Sequence, residues 1–204
     1  MNKIKELSSE LINLIAAGEV IERPSSIIKE LVENSIDSLA KTIDISVSYG
    51  GKQYIKVSDD GFGIESSDLL LSIKRHATSK LSSDNFMNIA TLGFRGEALP
   101  SIASISNMKI TSRTNNMKEA YYIEIVGGKT ISEGPDMGKI GTRIEVKNIF
   151  KNTPARLKFL KSDQAENISI IETLKKLALS KPEINFNLFV DNKTKFSWNA
   201  SSSK

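Results

Sequence analysis

The stretch from Ser25 to Leu39, SSIIKELVENSIDSL, constrains the fold more than any other part of the chain. Ile27, Ile28, Leu31, Val32, Ile36 and Leu39 recur at three-and-four spacing, the period of a helix with one buried face. Pro24 and the two serines supply its start signal. A serine hydroxyl accepts from the free amides of a first turn, and proline fits just outside them. At about 100° per residue, Glu30, Glu33, Asn34 and Asp37 fall together in a polar sector about 100° wide. Two readings of that sector stand side by side. It is a solvated acidic face, as charge runs commonly are. Alternatively it is a metal-and-water site, because Glu30 and Asn34 lie one turn apart and project together. They offer one oxygen ligand suited to Mg²⁺ beside one carboxylate able to activate water.

Around this helix the pattern is mainly that of strands. Ile43, Ile45 and Val47 alternate with polar residues, Gly50-Gly51 marks a tight turn, and Tyr54 to Ser58 forms the return strand of a hairpin. Residues 108–113, 120–126, 129–133 and 140–146 also read as strands, the middle two joined at Gly127-Gly128. Ile184, Phe186, Leu188 and Val190 alternate and turn at Asp191-Asn192 into a last strand, Thr194 to Trp198. Helical periods recur at 6–17 through Leu7, Leu11, Leu14 and Ile15, and at 66–77 through Leu69, Leu70, Ile73 and Ala77. They recur again at 164–179 through Ile168, Ile171, Leu174, Leu177 and Ala178. Gly18 and Pro24 bracket an irregular link into the central helix, and EALPSIASI starts another helix. The fold class expected is α+β, a mixed, mainly antiparallel sheet with helices segregated to one face.

Two segments resist periodic reading. Asp59-Asp60-Gly61-Phe62-Gly63-Ile64 follows a strand with two glycines, which permits either a plain turn or close approach to a ligand. Thr78 to Glu97 is long and aperiodic, as binding loops and lids are. Its Gly93 and Gly96 flank Phe94 and Arg95 just before a helix start, an arrangement that delivers free amides to phosphate, with Arg95 and Lys80 adding mobile positive charge. The chain of 204 residues has no cysteine, so thiolate metal sites and disulfides drop out. A net charge of +4 allows contact with phosphate-rich partners without implying it. Lys147, Lys151, Arg156, Lys158 and Lys161 are candidates for touching a nucleic-acid backbone, with a solvated face the alternative. No stretch approaches the roughly 20 apolar residues of a membrane span. Acidic residues interrupt the apolar N-terminal run, against a signal peptide. His76, the only histidine, has no recognisable catalytic partner. The phosphate-loop pattern GxxxxGK[ST] is absent, and DDGFGI lacks the third glycine of a dinucleotide fingerprint.

Three blocks stand in order: KELVENSIDS at 29–38, DDGFGI at 59–64, and RHATSK at 75–80 followed by GFRGEAL at 93–99. Together with IAAGEVIERP at 15–24 and NTPARLKFL at 152–160, they closely resemble the MutL family of mismatch-repair ATPases over nearly the whole chain. The resemblance implies the GHKL ATP-binding fold for residues 1–204, with an N-terminal arm at 1–24 and an ATP lid at 78–99. It implies Glu30 as the general base, Asn34 as the protein ligand of Mg²⁺, and Asp59 as acceptor for the adenine amino group. Gly61 and Gly63 would pass close to the nucleotide, and Thr142 would support its adenine end. Asp37, Thr78, Ser79, Lys80, Gly93, Phe94, Arg95, Gly96, Glu97, Ala98 and Leu99 complete the implied ATP site. Asp60 departs from the asparagine of many relatives and adds negative charge near the base site. The function implied is slow Mg²⁺-dependent ATP hydrolysis together with nucleotide-driven lid ordering and self-association of N-terminal domains, coupling mismatch recognition to downstream repair factors. A mismatch-recognition partner of the MutS type, weak DNA-backbone contact and a cytoplasmic location follow from the same resemblance. Transducer and dimerisation domains are expected beyond residue 204, the first contributing a lysine to the γ-phosphate.

Overall fold

The computed structural model describes residues 12, 15, 17, 18, 20–80, 91–93 and 96–201. In chain order its elements are α1 (Pro24–Asp37), β1 (Thr42–Ser48), β2 (Tyr54–Asp59), α2 (Ser66–Ser72), α3 (Ala98–Ser104), β3 (Asn107–Arg113) and β4 (Ala120–Val126). There follow β5 (Lys129–Asp136), β6 (Gly141–Lys147), α4 (Pro154–Phe159), α5 (Asp163–Ser180), β7 (Asn185–Val190) and β8 (Lys193–Trp198). The eight strands form one sheet in the order β5-β4-β3-β6-β2-β1-β7-β8. Among the described residues only the β1–β7 pair is parallel. The expected α+β class with a mainly antiparallel sheet is what forms.

Strand alternation explains the two layers. Ile43, Ile45, Val47, Ile55, Val57, Met108, Ile110, Ile123, Ile125, Ile144, Val146, Phe186 and Leu188 are all buried on the helix-covered face. Their neighbours along the strands point the other way. Across that second face Lys56, Glu145, Lys109 and Glu124 lie in register on β2, β6, β3 and β4, a row of alternating charge that suits water. The helices are therefore confined to one side. Ile27, Ile28, Leu31 and Val32 of α1 are at most 1% exposed there, and each such side chain contributes about 1.5–3 kcal/mol when fully buried. Helix α1 is fixed to the sheet by its apolar side, which leaves Glu30, Asn34 and Asp37 at the polar margin.

Several local expectations give way to tertiary packing. Pro24 is inside the first turn of α1 and not outside it, which suits a residue with no amide to satisfy. Arg23 holds the cap position without capping the helix through its side chain, and the Ser25 hydroxyl is buried, accepting from Ser169 of α5 at 3.0 Å. Leu39 leaves the apolar stripe: the helix has ended, its φ is 60°, and the side chain is exposed. Helix α2 stops at Ser72, so Ala77 lies beyond it, and Leu70 faces solvent. In α5 the buried apolar residues are Ile170, Leu174 and Ala178, while Ile168 is exposed. Helix α4 lies within the NTPARLKFL block, where no helix was expected. Gly18 and Val20 are helical and not part of an irregular link, and Ile15 is exposed. Leu7, Leu11 and Leu14 lie outside the described residues.

Two arginines fasten the approach to α1. Arg156 donates to the carbonyls of Ile21 at 2.6 Å and Gly18 at 3.4 Å, and its guanidinium lies 4.5 Å from the Phe150 ring centroid. It is thus withdrawn from the supposed basic face, whose other members, Lys147, Lys151, Lys158 and Lys161, are exposed. Arg23 gives two hydrogen bonds, 3.2 and 3.0 Å, to the carboxylate of Glu166, whose other oxygen accepts the Lys161 amide at 3.0 Å. Glu166 is 1% exposed, and stripping a buried carboxylate of its partner leaves an uncompensated charge. Arg23→Met should lower stability by about 2 kcal/mol or more in denaturant titration. Lys29→Met, which breaks the exposed pair with Glu33, should change it by less than about 1 kcal/mol.

Candidate functional site

At one end of the sheet the apolar rows stop in polar residues. Strand β2 carries Ile55 and Val57 inward, and the next inward position is Asp59. Its register partner on β6 is Thr142, and the partner of Thr142 on β3 is Ser112. Asp59, Thr142 and Ser112 therefore form a polar rung under the C-terminal end of α1. Ser35, one turn after Leu31 on the buried stripe, donates to Asp59 Oδ2 at 2.8 Å. The Gly61 and Thr142 amides donate to Oδ1 at 3.0 and 3.2 Å. The hydroxyls of Thr142 and Ser112 are 2.9 Å apart, and Ser112 also accepts the Ile64 amide at 2.8 Å.

A carboxylate offers about four acceptor directions, and three are taken here. One remains for an N–H donor from outside the protein. Burial pushes the Asp59 carboxyl above the ordinary aspartate value; the bonds from Ser35, Gly61 and Thr142 pull it back, and the nearby Asp60 charge adds to the rise. Asp60 also has a structural task. Its Oδ1 accepts the Lys41 and Thr42 amides at 2.7 and 2.8 Å and so ties the loop to the start of β1.

The glycines of DDGFG are demanded by the protein itself. A Cβ on Gly61 would stand 2.0 Å from Ser38 Oγ, and one on Gly63, at φ 79°, would stand 2.2 Å from the Arg113 carbonyl oxygen. They draw the loop onto the end of α1 and the end of β3, and this close packing holds the Gly61 amide on Asp59.

The polar margin of α1 divides. Lys29 pairs with Glu33 at 2.8 Å and reaches Glu30 at 3.4 Å. One turn further on, the Lys80 ammonium donates to Asn34 Oδ1 at 2.8 Å and to Asp37 Oδ2 at 2.6 Å. The Leu92 amide gives 3.0 Å to Asp37 Oδ1, and the Gly93 amide 3.2 Å to Oδ2. Gly96 closes against Ala77, whose carbonyl oxygen would lie 2.5 Å from a Cβ placed there. Both ends of the expected lid thus meet α1 or each other. Thr78 accepts the Lys80 amide on its hydroxyl at 3.1 Å, and Ser79 is exposed. Glu97 precedes α3, Ala98 begins it, and Leu99 packs against the core. Phe94 and Arg95 lie outside the described residues. His76 stands exposed, 4.0 Å from Glu97.

A cation already finds Asn34 Oδ1 and Asp37 attractive, so these hard oxygens fit Mg²⁺. Among the described residues no group of three or more His, Cys, Asp and Glu is arranged to hold a metal. A divalent ion here would draw its other ligands from water and substrate, as Mg²⁺ commonly does. A shallow depression of about 540 Å³ lined by Arg113, Lys118, Pro135, Asp136 and Met137 lies elsewhere. Its Asp136 is already paired with Lys109 at 3.1 Å and Arg143 at 3.6 Å. Asp59, by contrast, has no cation among its three donors. Sequence reading missed Ser35 and Ser112. Their signal is a hydroxyl at an inward-facing position of an apolar stripe, where a buried polar group needs a partner.

The family described as "Histidine kinase-, DNA gyrase B-, and HSP90-like ATPase" matches residues 22–134 of the 204. The chain belongs to this family of ATPases. Similar proteins include bacterial MutL proteins. It is 50% identical over 191 residues to the DNA mismatch repair protein MutL of Rickettsia bellii, covering 94% of this chain and 31% of that protein. It is 52% identical over 190 residues to MutL of Rickettsia prowazekii, covering 93% and 32%. The structure of the Aquifex aeolicus MutL ATPase domain complexed with ADP superposes with a TM-score of 0.76 at 33% identity, covering 90% of this chain and 66% of that one. The N-terminal domain of a DNA repair protein gives 0.78 at 29% identity, covering 94% and 57%. The chain spans about a third of the length of the curated relatives it matches. Among the described residues no helix is long and apolar enough to cross a membrane.

A carboxyl raised by burial stabilises the fold when protonated and costs stability once ionised. Asparagine can keep the amides of Gly61 and Thr142 on its oxygen and donate to Ser35, which turns its own proton to the Leu31 carbonyl 3.2 Å away. Asp59→Asn should therefore be at least as stable as the parent at neutral pH. Its advantage should grow as the pH rises from the ordinary aspartate value of about 4 toward neutrality, because the parent carboxyl is forced to ionise. Thermal unfolding across that range checks this, and a variant uniformly less stable would contradict it.

Proposed function

We propose that the chain binds Mg²⁺-ATP and hydrolyses it slowly as the ATPase domain of a MutL-type mismatch-repair protein. The observation that carries this reading is the Asp59 carboxylate, half-buried on the inner face of the sheet with one acceptor direction unspent. The adenine amino group supplies the N–H it lacks, and the Thr142 side borders that end of the nucleotide. Glu30, two turns before Asp37 on the same polar margin, accepts the proton of a water as its oxygen attacks the γ-phosphorus; the bond to the β-γ bridging oxygen breaks, giving ADP and phosphate. Asn34 is the residue that would hold Mg²⁺, which when bound draws charge from the phosphate oxygens. Thr78, Ser79, Lys80, Gly93, Phe94, Arg95, Gly96, Glu97, Ala98 and Leu99 form or border a lid whose amides and cations turn to the phosphates.

A second role follows from the ties between Asp37 and the lid's ends. Nucleotide that rearranges them would order the lid with the N-terminal arm and favour association of two protomers, coupling a MutS-type mismatch-recognition protein to later repair steps. Turnover then resets the switch. Weak contact with DNA backbone falls to the exposed Lys147, Lys151, Lys158 and Lys161. A lysine from a following domain is proposed to complete the stabilisation of the γ-phosphate.

Glu30→Ala should retain ATP affinity and lose about 10²–10⁴ in single-turnover hydrolysis, the range for a positioned general base. Asn34→Ala should instead weaken Mg²⁺-ATP binding. Hydrolysis by Glu30→Ala at the parent rate would remove Glu30 from the reaction.

A further inference from the structure

The Lys80 ammonium bridges two side chains of α1 from a distant part of the chain. Its ammonium bonds Asn34 Oδ1 at 2.8 Å and Asp37 Oδ2 at 2.6 Å, and the Asp37 side chain is 7% exposed. An ammonium only donates, so the Asn34 group facing it is the carbonyl oxygen. Gly93 lies over the pair, its missing Cβ position 3.6 Å from Lys80 Nζ and 3.7 Å from Asn34 Oδ1. The Asp37 carboxylate that holds the ammonium also holds the Leu92 and Gly93 amides. One carboxylate thus gathers residue 80, residues 92–93 and the last turn of α1.

From this seat we infer that Lys80 is an internal counter-cation which competes with a divalent metal for Asn34 and Asp37, so that metal entry and release of the chain at residue 80 are one event. Asn34 Oδ1 cannot keep a 2.8 Å bond to an ammonium and also enter a metal's inner shell from the same side. The two cations are alternatives at one oxygen, and each must weaken the other's hold. In the metal-free protein the ammonium neutralises Asp37 and keeps residues 80 and 93 against α1. When the metal takes Asn34, Lys80 is set free carrying a charge suited to phosphate. The competition deepens the nucleotide reading above and rests on it for its purpose, but not for its measurement.

The test uses Mn²⁺ alone, an ion that takes the same hard oxygen ligands. Mn²⁺ is titrated into nucleotide-free protein while paramagnetic broadening of the Asn34 side-chain amide is followed by NMR. Lys80→Met removes the competitor and keeps most of the stem, and should tighten Mn²⁺ binding about tenfold or more, the equivalent of one hydrogen bond to a charged group. Lys80→Arg keeps the charge and should remain near the parent. Equal Mn²⁺ affinity in parent and Lys80→Met, or no broadening of Asn34 in either, overturns the proposal. Separate addition of ADP, read at the Gly61 and Thr142 amides, tests the nucleotide reading. Tenfold tightening without ADP shifts would uphold the competition and remove the nucleotide, and ADP shifts without tightening would do the reverse.

Discussion

The carboxylate of Asp59 is the point on which the site depends. It closes the inward row of β2 after Ile55 and Val57, and it receives donors from three separate parts of the chain: Ser35 of α1, Gly61 of the following loop and Thr142 of β6. Each donor reduces the cost of burying the charge without abolishing it, since burial still sets its proton affinity above the ordinary value. The arrangement sacrifices some stability to keep an acceptor available. An apolar residue at 59 would continue the core more favourably, as the neighbouring rungs do, but would offer no acceptor.

Helix α1 connects this carboxylate to the rest of the site. Its apolar stripe is set into the sheet, its start is held by Arg23 on the buried Glu166, and the segment before it is held by Arg156. With the helix fixed on that side, Ser35 meets Asp59 while Asn34 and Asp37 meet Lys80. Adjacent residues thus serve two different tasks because the helical period sends Ser35 inward and Asn34 to the margin. The Asp59 end and the Lys80 end share one rigid element, which fixes their separation.

Much of this was legible in the sequence, for physical reasons that also mark where legibility ends. Strands with strict alternation, such as Ile43 to Val47, declare both their type and their buried face. The GG turns and the Asp191-Asn192 turn were equally plain, with positive φ at Gly50, Gly51, Asp191 and Asn192. Leu39 misled because an apolar residue continuing a helical period carries no sign that the helix has stopped. Ile168 and Ile170 are both apolar, and only the seating of α5 chooses between them. The phase of Asp59 was available from Ile55 and Val57, and Ser35 was signalled by its place in an apolar stripe. The Lys80 seat was not, because its partners lie 43 and 46 positions away and no local period connects them. The glycines of DDGFG carried a mixed message: their positions marked a special loop, but close approach to Ser38 and Arg113 already requires them.

The central claim is that one unspent acceptor direction on Asp59 reads the amino group of adenine. Calorimetric titration with ADP and with inosine diphosphate isolates it, since inosine differs there by presenting a carbonyl oxygen where adenine presents an amino donor. Two acceptors facing each other in a buried site leave both unpaired. The account predicts that ADP binds and that inosine diphosphate binds at least about a hundredfold more weakly. Equal affinity for the two would show that Asp59 does not read the base.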